Sequence, residues 1–357
     1  MSARSERAAR RWLILAAIFL TALLIALIVY LLLYLGRAER LVSHETRAGL
    51  QPIWEVYGPG QGETPAFDRP MGVAVGLRDR IYVTDAGNNR VCVFDPGGRF
   101  LFTFGTFGVA KPLAGAKSTY KPGRLNYPLG VDTDEDGNVY VASFGNDSIE
   151  VFDADGEALR RFPDPMVRVG RGASGTGGVG IAVTDVAAHN GLVYALDTYQ
   201  VVVFTTDGAY VGQWGRPGSG AGSLDHPNGI EVGPDGTVYV ADSNNARVTA
   251  YTAEGRMLWS LGARAQGTRD VSKRPFQLPR GLALSRREQL YVVDAFAFSL
   301  VEVSTEGTIT ASYGERGVQP GQFNFPNDIA VLRDSLVVVD RENGRVQRVE
   351  IARRTAR

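Results

Sequence analysis

The sequence predicts an all-β fold: a six-bladed β-propeller of four-stranded antiparallel blades, preceded by one transmembrane helix. Three observations predict it, namely a motif that recurs six times in 357 residues, an apolar segment near the N-terminus, and one strand that belongs to no unit around it. A repeat of roughly 45–58 residues, rich in short strands and turns, is typical of propeller blades and solenoid coils.

The apolar segment covers residues 12–35 and follows a tail of residues 1–11. As a helix it would be about 36 Å long, enough to cross a hydrocarbon core about 30 Å thick. A cleaved signal peptide is the alternative, but residues 34–37 (Tyr-Leu-Gly-Arg) offer no cleavage site of small residues.

Charge sets the expected orientation of this single-pass anchor. Four arginines precede the apolar segment and three follow it closely, which favours a cytoplasmic N-terminus and a propeller outside. The Arg-rich composition and the lack of a sorting tail favour a bacterial cell membrane.

The propeller is expected over residues 51–352, after a linker of residues 36–50 and before a tail of residues 353–357. Each unit contains four extended runs of about five residues, with β-branched or aromatic side chains at alternate positions and Gly, Asp or Asn between the runs. No amphipathic helical period lies between them, which argues against a βαβ architecture.

Ring closure is predicted from the two ends of the repeat array. The sixth unit has no fourth strand, because the chain ends soon after Ile351. Residues 52–58 form an orphan strand that ends in an aromatic residue and Gly, as the fourth strands of other units do. We therefore expect residues 52–58 to complete the last blade, which leaves only short, protected sheet edges.

The repeated residues resemble NHL repeats. The shared features are a Pro-x-Gly opening, a Tyr-Val-x-Asp strand and an Asp-x-x-Asn-x-Arg-Val turn, as in residues 82–91 and 239–248. The resemblance covers about residues 52–351 and implies a six-bladed propeller, but it says little about function. Ser143 replaces the strand-end Asp in the second unit, Val179 and its glycine neighbours replace Pro-x-Gly in the third, and the fifth unit lacks the Arg.

The repeated acids and arginines are interpreted as structural. A ring of carboxylates would suit a metal, but an Asp that recurs in unit after unit is expected to accept backbone hydrogen bonds in its own strand-to-strand turn. The accompanying Arg would brace the same turn or a neighbouring blade. The residues concerned are Asp85, Arg90, Asp242, Arg247, Asp340 and Arg345.

Residues that break the repeat are better functional candidates. By the resemblance, the residue between Pro and Gly lies at the channel mouth; in unit order these residues are Met71, Leu129, Val179, Asn228, Arg280 and Asn327. The polar half, with Asp328 in place of a Gly, predicts a small-ligand site formed by Asn228, Arg280, Asn327 and Asp328. A solvated mouth that binds nothing is the alternative.

Asp132 and Glu231 are expected in the innermost strands, at a position where the other four units have Ala74, Ala182, Ala283 and Ala330. They are interpreted either as lining of a water-filled channel or as metal ligands together with Asn228 and Asn327. The second interpretation resembles the calcium site of gluconolactonase-type propellers, since Ca²⁺ takes about 6–8 oxygen ligands. No cofactor is required; calcium is the one that the resemblance allows.

Zinc chemistry and nucleic-acid binding are not expected. The chain has three histidines, and His189 and His226 are predicted on opposite faces of the propeller, so they cannot share a zinc ion. The formal net charge is zero, which gives no reason to expect nucleic acid. Basic loops over residues 105–126 and 262–277 fit either an anionic partner, such as an envelope polymer or an acidic peptide, or ordinary solvated loops.

Two functions remain open on the sequence. The first is a membrane-anchored, extracytoplasmic, non-catalytic module for binding, sensing or scaffolding, with a protein, peptide or glycan as partner. The second is a divalent-cation-dependent hydrolase or lactonase with its site at the channel mouth. No catalytic residue is assigned, because the chain contains no Gly-x-Ser-x-Gly elbow and no phosphate-cradling loop.

Overall fold

The computed structural model describes residue 24 and residues 49–60, 66–109, 121–163, 182–262 and 274–352. The chain divides into two units, Met1–His44 and Glu45–Arg357, and all the strands belong to the second. The predicted tails and nearly all of the predicted transmembrane segment and linker lie outside the described residues. In the part of the chain that the structure describes, no helix has both the length and the apolar character needed to cross a membrane.

Twenty-six strands follow one another through the described part of the second unit. The first thirteen are β1 (Leu50–Val56), β2 (Pro70–Val75), β3 (Ile81–Asp85), β4 (Arg90–Phe94), β5 (Phe100–Phe104), β6 (Thr106–Phe107), β7 (Arg124–Leu125), β8 (Pro128–Thr133), β9 (Val139–Ser143), β10 (Ser148–Phe152), β11 (Ala158–Phe162), β12 (Asp185–His189) and β13 (Leu192–Asp197). The others are β14 (Gln200–Thr205), β15 (Tyr210–Trp214), β16 (Gly229–Val232), β17 (Val238–Asp242), β18 (Arg247–Tyr251), β19 (Met257–Gly262), β20 (Pro279–Leu284), β21 (Gln289–Asp294), β22 (Ser299–Ser304), β23 (Ile309–Tyr313), β24 (Pro326–Leu332), β25 (Ser335–Asp340) and β26 (Arg345–Ile351).

These strands form six four-stranded antiparallel blades. Blades 1 to 5 are β2–β5, β8–β11, β12–β15, β16–β19 and β20–β23, and blade 6 is β24, β25, β26 and β1. The innermost strands contact one another in a closed ring, from β2 through β8, β12, β16, β20 and β24 back to β2. The all-β, six-bladed prediction is confirmed.

Short 3₁₀ turns join several strands: Leu77–Asp79, Ala86–Asn88, Phe144–Asn146, Ser243–Asn245 and Arg341–Asn343. Four of them follow a second strand of a blade, and the residue after each of those four adopts a left-handed conformation, as Asn89 does with φ 54°. The turns therefore lie at the same end of the blades as the starts of the innermost strands.

The hydrophobic core lies between blades rather than within one. Both faces of a blade are covered by neighbouring blades, so successive side chains of the inner strands are buried on alternate sides. Between blades 1 and 2, for example, Tyr82 and Val93 pack with Val131 and Val141. Six such clusters fill the six junctions of the ring.

The N-terminal strand closes the ring. β1 pairs antiparallel with β26, with Leu50 opposite Ile351 and Val56 opposite Val346. The strand begins two residues before the predicted start, and a bulge lies between Pro52 and Trp54.

The predicted register of blade 3 is wrong. Its innermost strand is β12, so Ala187, which pairs with Tyr194, takes the position that was predicted for Ala182. Thr184 takes the mouth position that was predicted for Val179, and Val179 lies outside the described residues. The glycine-rich stretch before residue 182 resembles the Pro-x-Gly opening of the other units. This resemblance explains why the innermost strand of blade 3 was predicted too early in the chain.

Candidate functional site

The channel mouth is formed where the innermost strands begin. The Arg280 guanidinium donates a hydrogen bond from Nη2 to Asn228 Oδ1 at 3.0 Å, which links blades 4 and 5. Asn228 Nδ2 in turn donates to Ser243 Oγ at 3.0 Å and to the His226 carbonyl at 2.9 Å. These side chains are thus held by one another and by the backbone.

Asn327 and Asp328 make the corresponding link between blades 6 and 1. Asn327 Nδ2 donates to the Met71 carbonyl at 2.7 Å, and Asp328 Oδ2 accepts the Val73 N–H at 2.8 Å. Asn327 Oδ1 is buried and has no hydrogen-bond partner among the described residues. All four residues predicted for the mouth therefore lie there, and they connect neighbouring blades.

Asp185 is a mouth residue that the sequence analysis missed. Its Oδ2 accepts the Ile230 N–H at 3.0 Å, so it links blades 3 and 4 as Asp328 links blades 6 and 1. Both acids replace the Gly of Pro-x-Gly and lie in opposite blades of the ring. The spacing to the second strand of the blade was the signal in the sequence that could have identified Asp185. In blades 1 and 3 alike, the residue two positions after the Gly or its replacement pairs with the Tyr of the repeat, in β3 and in β13.

Glycine is required in the blade that precedes each acid. A Cβ added to Gly130 would lie 1.9 Å from Asp185 Oδ1, and one added to Gly281 would lie 2.0 Å from Asp328 Oδ1. The acid of one blade thus occupies the space that a side chain of its neighbour would need. This close approach explains why Gly130 and Gly281 carry no side chain.

Below the mouth, four carboxyl groups line a central channel of about 160 Å³. They are Asp132, Asp185, Glu231 and Asp328, and the rest of the lining is mostly Val, Ile, Leu and Ala of the innermost strands. Asp132 Oδ2 accepts the Ala188 N–H of the next blade at 2.8 Å. Asp132 and Glu231 therefore lie where the sequence predicted them, within the channel.

Burial controls the protonation of this channel. Loss of hydration raises the pKa of Asp132 to about 7 and that of Asp328 to about 7, although both accept backbone hydrogen bonds. Burial also raises the pKa of Glu231 and of Asp185 well above their ordinary values, and neighbouring carboxylates add to the effect. The channel therefore does not carry four full negative charges at neutral pH.

A cation is already present at the mouth in the form of Arg280. The pKa of Arg280 is lowered to about 10, mainly by burial and also by nearby Arg341, while Asp328 and Asp185 act to raise it. Because Asn228 Oδ1 accepts from this guanidinium, that oxygen is not free for Ca²⁺. Within the described ranges, no three His, Cys, Asp or Glu side chains are placed to share a metal ion. Calcium binding by Asp132, Glu231, Asn228 and Asn327 stays a prediction, with Asn228 Oδ1 already engaged by Arg280.

The mouth itself is constricted. Its free volume is about 20 Å³, and the channel below it holds about 160 Å³. Pockets for small organic ligands typically have volumes of about 300–1,000 Å³. The mouth and channel therefore have room for water, and a larger ligand would have to rest on the surface around them.

That surface carries five aromatic side chains, from blades 2, 3, 5 and 6, which we call the mouth annulus: Tyr127, Phe144, Tyr199, Phe296 and Phe325. Three of them occupy turns after a second strand and are 38% (Phe144), 37% (Tyr199) and 54% (Phe296) exposed. The other two directly precede the Pro at the start of β8 and β24, with positive φ of 52° and 54°.

Ring contacts connect the annulus across blades. The Phe296 and Phe325 ring centroids are 5.3 Å apart, and the Tyr199 ring lies 5.2 Å from the His226 ring. The Arg69 guanidinium lies 5.4 Å from the Tyr127 ring centroid. The cations here have acidic neighbours, since Arg69 pairs with Asp68 at 3.1 Å and Arg341 with Glu342 at 3.5 Å.

The repeated Asp and Arg residues hold blades 1, 4 and 6 to the loops that lead into them. Asp242 Oδ2 accepts from Arg247 Nε at 2.7 Å, and its Oδ1 accepts the Asp225 N–H at 2.8 Å. Asp225 precedes β16, so the backbone donor lies in the loop that leads into the blade. The prediction that the donor would lie in the strand-to-strand turn of the Asp itself is wrong. Two further buried pairs repeat this geometry: Asp85 with Arg90, and Asp340 with Arg345.

The basic loops lie largely outside the described residues. Residues 110–120 and 263–273 are not described, so most of their lysines and arginines are not placed. Arg124, which is placed, donates from Nη1 to Thr106 Oγ1 at 2.8 Å. The prediction of an anionic partner at these loops stays a prediction.

Comparison with known families supports the repeat assignment. A profile of the NHL repeat matches residues 67–94, 224–251 and 323–349, which lie in blades 1, 4 and 6. These are the three units in which the Asp, Asn and Arg of the turn are complete. The predicted resemblance to NHL repeats is confirmed.

Among curated proteins, the chain is similar to NHL repeat-containing protein 3 of Homo sapiens, with 26% identity over 173 residues, 44% of this chain and 48% of that protein. The Mus musculus protein is 27% identical over the same lengths. The chain thus matches about half the length of these relatives. Peptidylglycine alpha-amidating monooxygenase of Rattus norvegicus is 30% identical over 132 residues, 34% of this chain and 13% of that protein.

Solved structures show the same architecture at low identity. A streptogramin B lyase has a TM-score of 0.54 and 14% identity, covering 85% of this chain and 97% of its own. A gluconolactonase from Xanthomonas campestris has a TM-score of 0.55 and 15% identity, covering 85% of this chain and 89% of its own. At these identities the likeness describes the fold alone.

Proposed function

We propose that this NHL-repeat propeller is a non-catalytic binding module that holds a protein or peptide segment on the face of its channel mouth. The observation that carries the proposal is the mouth annulus, five partly exposed aromatic side chains of four blades on the face of an opening of about 20 Å³. Soluble proteins rarely expose several large aromatic residues on one face unless that face binds something.

The chemistry of the annulus suits a protein partner. Aromatic residues and Arg contribute most of the binding energy of protein interfaces. Phe296, Tyr199 and Phe144 are exposed enough for a partner protein to cover them. Of the described cations beside the annulus, Arg69 and Arg341 are each paired with an acid. A peptide with apolar side chains fits these properties.

The polar mouth residues supply the rigid base for this surface. Asn228, Arg280, Asn327 and Asp328 connect neighbouring blades and hold the innermost strands in position. In this proposal they act by positioning, and the ligand contacts lie outside them. The proposed ligand site is thus the annulus, and it lies outside the four mouth residues that the sequence predicted as a small-ligand site.

The membrane anchor belongs to the same proposal. Residues 12–35 are long and apolar enough to span a bilayer as a helix, and the arginines before them favour a propeller on the outer side. A propeller tethered about 15 residues from the bilayer would meet partners at the membrane surface, because that linker reaches at most about 50 Å.

A cation-dependent hydrolase is the second candidate. It is favoured by the four carboxyl groups that face one channel. It is opposed by Arg280, whose charge occupies the mouth and whose guanidinium engages Asn228 Oδ1 at 3.0 Å. The described residues that line this channel include no Ser, Thr, Cys or His beside the acids, so we favour the binding module.

Selection from a random peptide library on the immobilised full-length chain tests the proposal. We expect enriched peptides with apolar residues, and a Tyr199→Ala, Phe296→Ala double variant should bind them about tenfold or more weakly. The matched control is Leu159→Ala, Leu258→Ala on the outer strands, where exposure is 44% and 45%. The proposal is wrong if no peptide is enriched, or if the annulus and control variants bind equally.

A further inference from the structure

The turn between the third and fourth strands of blades 1 to 5 lies against the preceding blade. Each turn has a Gly whose added Cβ would fall on an aromatic ring of that blade, within 3.0 Å. The pairs are Gly98 with Trp54, Gly156 with Phe104, Gly208 with Phe162, Gly255 with Trp214 and Gly307 with Trp259. A tight β-turn therefore covers each of these five junctions.

Side chains of the preceding blade also donate to turn carbonyls. Trp54 Nε1 donates to the Pro96 carbonyl at 3.1 Å, and Trp259 Nε1 donates to the Thr305 carbonyl at 2.7 Å. The Tyr82 hydroxyl donates to the Ala154 carbonyl at 3.3 Å. Both an aromatic contact and a hydrogen bond thus recur at these junctions.

Blade 6 lacks this turn because two separate segments close the ring. β26 ends at Ile351 and β1 begins at Leu50, so no hairpin joins its third and fourth strands. A groove of about 360 Å³ lies at the corresponding place between blades 5 and 6, which we call the closure groove. Its lining includes Gln289, Tyr291 and Glu302 of blade 5 and Val331, Leu336 and Ile351 of blade 6.

The closure groove retains a tyrosine at the position from which Tyr82 donates to a turn carbonyl. Tyr291 is the counterpart of Tyr82, since each pairs with the Ala at the same position of its innermost strand. Its hydroxyl has no acceptor among the described residues, whereas that of Tyr82 donates to a turn carbonyl. Gln289 Oε1 is buried and has no donor in the described part of the chain. One donor and one acceptor therefore remain for a bound peptide group.

We infer that the closure groove binds a β-turn of a second protein, in the place that a blade's own turn takes at the other five junctions. A turn carbonyl would accept from the Tyr291 hydroxyl, and a backbone N–H would donate to Gln289 Oε1. Val331, Leu336 and Ile351 supply the apolar wall. This groove lies at the ends of the blades opposite the mouth annulus, so the inference is independent of the proposed function.

A cyclised peptide with the sequence of residues 303–309, the turn of blade 5, is a direct probe. Titrated as a fluorescent conjugate into the full-length chain in detergent, it should bind saturably with one site. Gln289→Met and Tyr291→Phe keep the shape of the groove and each remove one hydrogen bond, so each should weaken binding about threefold to tenfold. The matched control is Tyr82→Phe, at a junction that its own turn already fills; its affinity should equal that of the unaltered chain.

Three outcomes would overturn the inference. The first is no saturable binding at millimolar peptide. The second is equal affinity in the Gln289, Tyr291 and Tyr82 variants. The third is binding only after removal of residues 353–357, because the groove would then belong to the chain's own tail. Each outcome leaves the annulus test unaffected, since Tyr199 and Phe296 lie at the other end of the blades.

Discussion

At the scale of single residues, the ion pair of Asp242 and Arg247 is the most sensitive element of blade 4. Arg247 is 4% exposed and Asp242 is fully buried, so neither charge can turn to water when its partner is removed. An unpaired buried charge costs far more than the pair gains. Asp242→Asn should therefore lower the free energy of unfolding by about 3–5 kcal/mol, measured by urea denaturation.

Asp294→Asn is the matched control for that change. Asp294 holds the same strand-end position in blade 5 but accepts only backbone N–H groups, from Gln277, Leu278 and Ala297. Its burial raises its pKa, and no Arg among the described residues pairs with it. We expect a clearly smaller loss of stability, and equal losses in the two variants would show that the ion pair is not the cause.

Asp132 makes stability depend on pH. Burial raises its pKa to about 7 from 3.8, so between these values the folded chain binds more protons than the unfolded chain. The free energy of unfolding therefore falls as the pH rises from about 4 to about 7, and this contribution is constant above that range. Between pH 5.5 and pH 8 the group should contribute about 2 kcal/mol.

The measurement is a comparison of two proteins at two pH values. Asp132→Asn keeps an oxygen that can accept the Ala188 N–H, but it removes the titration. The unaltered chain should lose more stability than the variant on going from pH 5.5 to pH 8. The same pH dependence in both proteins would mean that Asp132 does not hold its proton in the folded state.

At the scale of elements, β1 is the strand on which closure of the ring depends. Trp54 ties it to blade 1, through the hydrogen bond from Nε1 to the Pro96 carbonyl at 3.1 Å and through its contact with Gly98. Trp54→Ala should cost about 2–4 kcal/mol, since the ring is partly buried and large-to-small changes of Trp in cores cost about 3–5 kcal/mol. Chemical denaturation measures this loss.

The neighbouring residue of the same strand provides the comparison. Ile53 is 43% exposed, so Ile53→Ala should change stability by less than about 1 kcal/mol. Limited proteolysis of the Trp54 variant should cut first near residue 49. A variant as stable as the Ile53 control would show that β1 contributes little to closure.

At the scale of the whole molecule, the two candidate functions differ in their response to Ca²⁺. Any ion that binds only the folded chain raises its thermal midpoint. We expect no rise with CaCl₂ in the unaltered chain, because Arg280 already brings a positive charge to Asn228 and Asp328. Arg280→Gln removes that charge and should create a Ca²⁺-dependent rise, measured by differential scanning fluorimetry.

Arg287→Gln is the control, since that side chain is exposed and pairs with Asp334 at the rim of the closure groove. It should leave the chain unresponsive to Ca²⁺. A midpoint that rises with Ca²⁺ in the unaltered chain would contradict this expectation and favour the hydrolase.

The fold could be predicted from the sequence because each blade repeats the same local signals. Blade 3 was misplaced because its opening lacks Pro and Gly, and counting back from Tyr194 would have placed β12 correctly. The positions of Asn228 and Asn327 at the mouth followed from the repeat. Their partners did not, because hydrogen bonds between blades depend on backbone distances that no single unit encodes. The exposed Phe296 was detectable, as an aromatic residue directly after a strand-end motif.

The direction of the strands beside the closure groove has a mechanical consequence. Residues 49 and 352 lie at the same end of the antiparallel pair of β1 and β26, where the Ala352 N–H donates to the Gly49 carbonyl. A pulling force between these two residues would load the backbone hydrogen bonds between β1 and β26 one after another. In this unzipping geometry the bonds break in sequence and do not share the load. Tension on the N-terminal side would therefore peel β1 from blade 6 before any other blade opened.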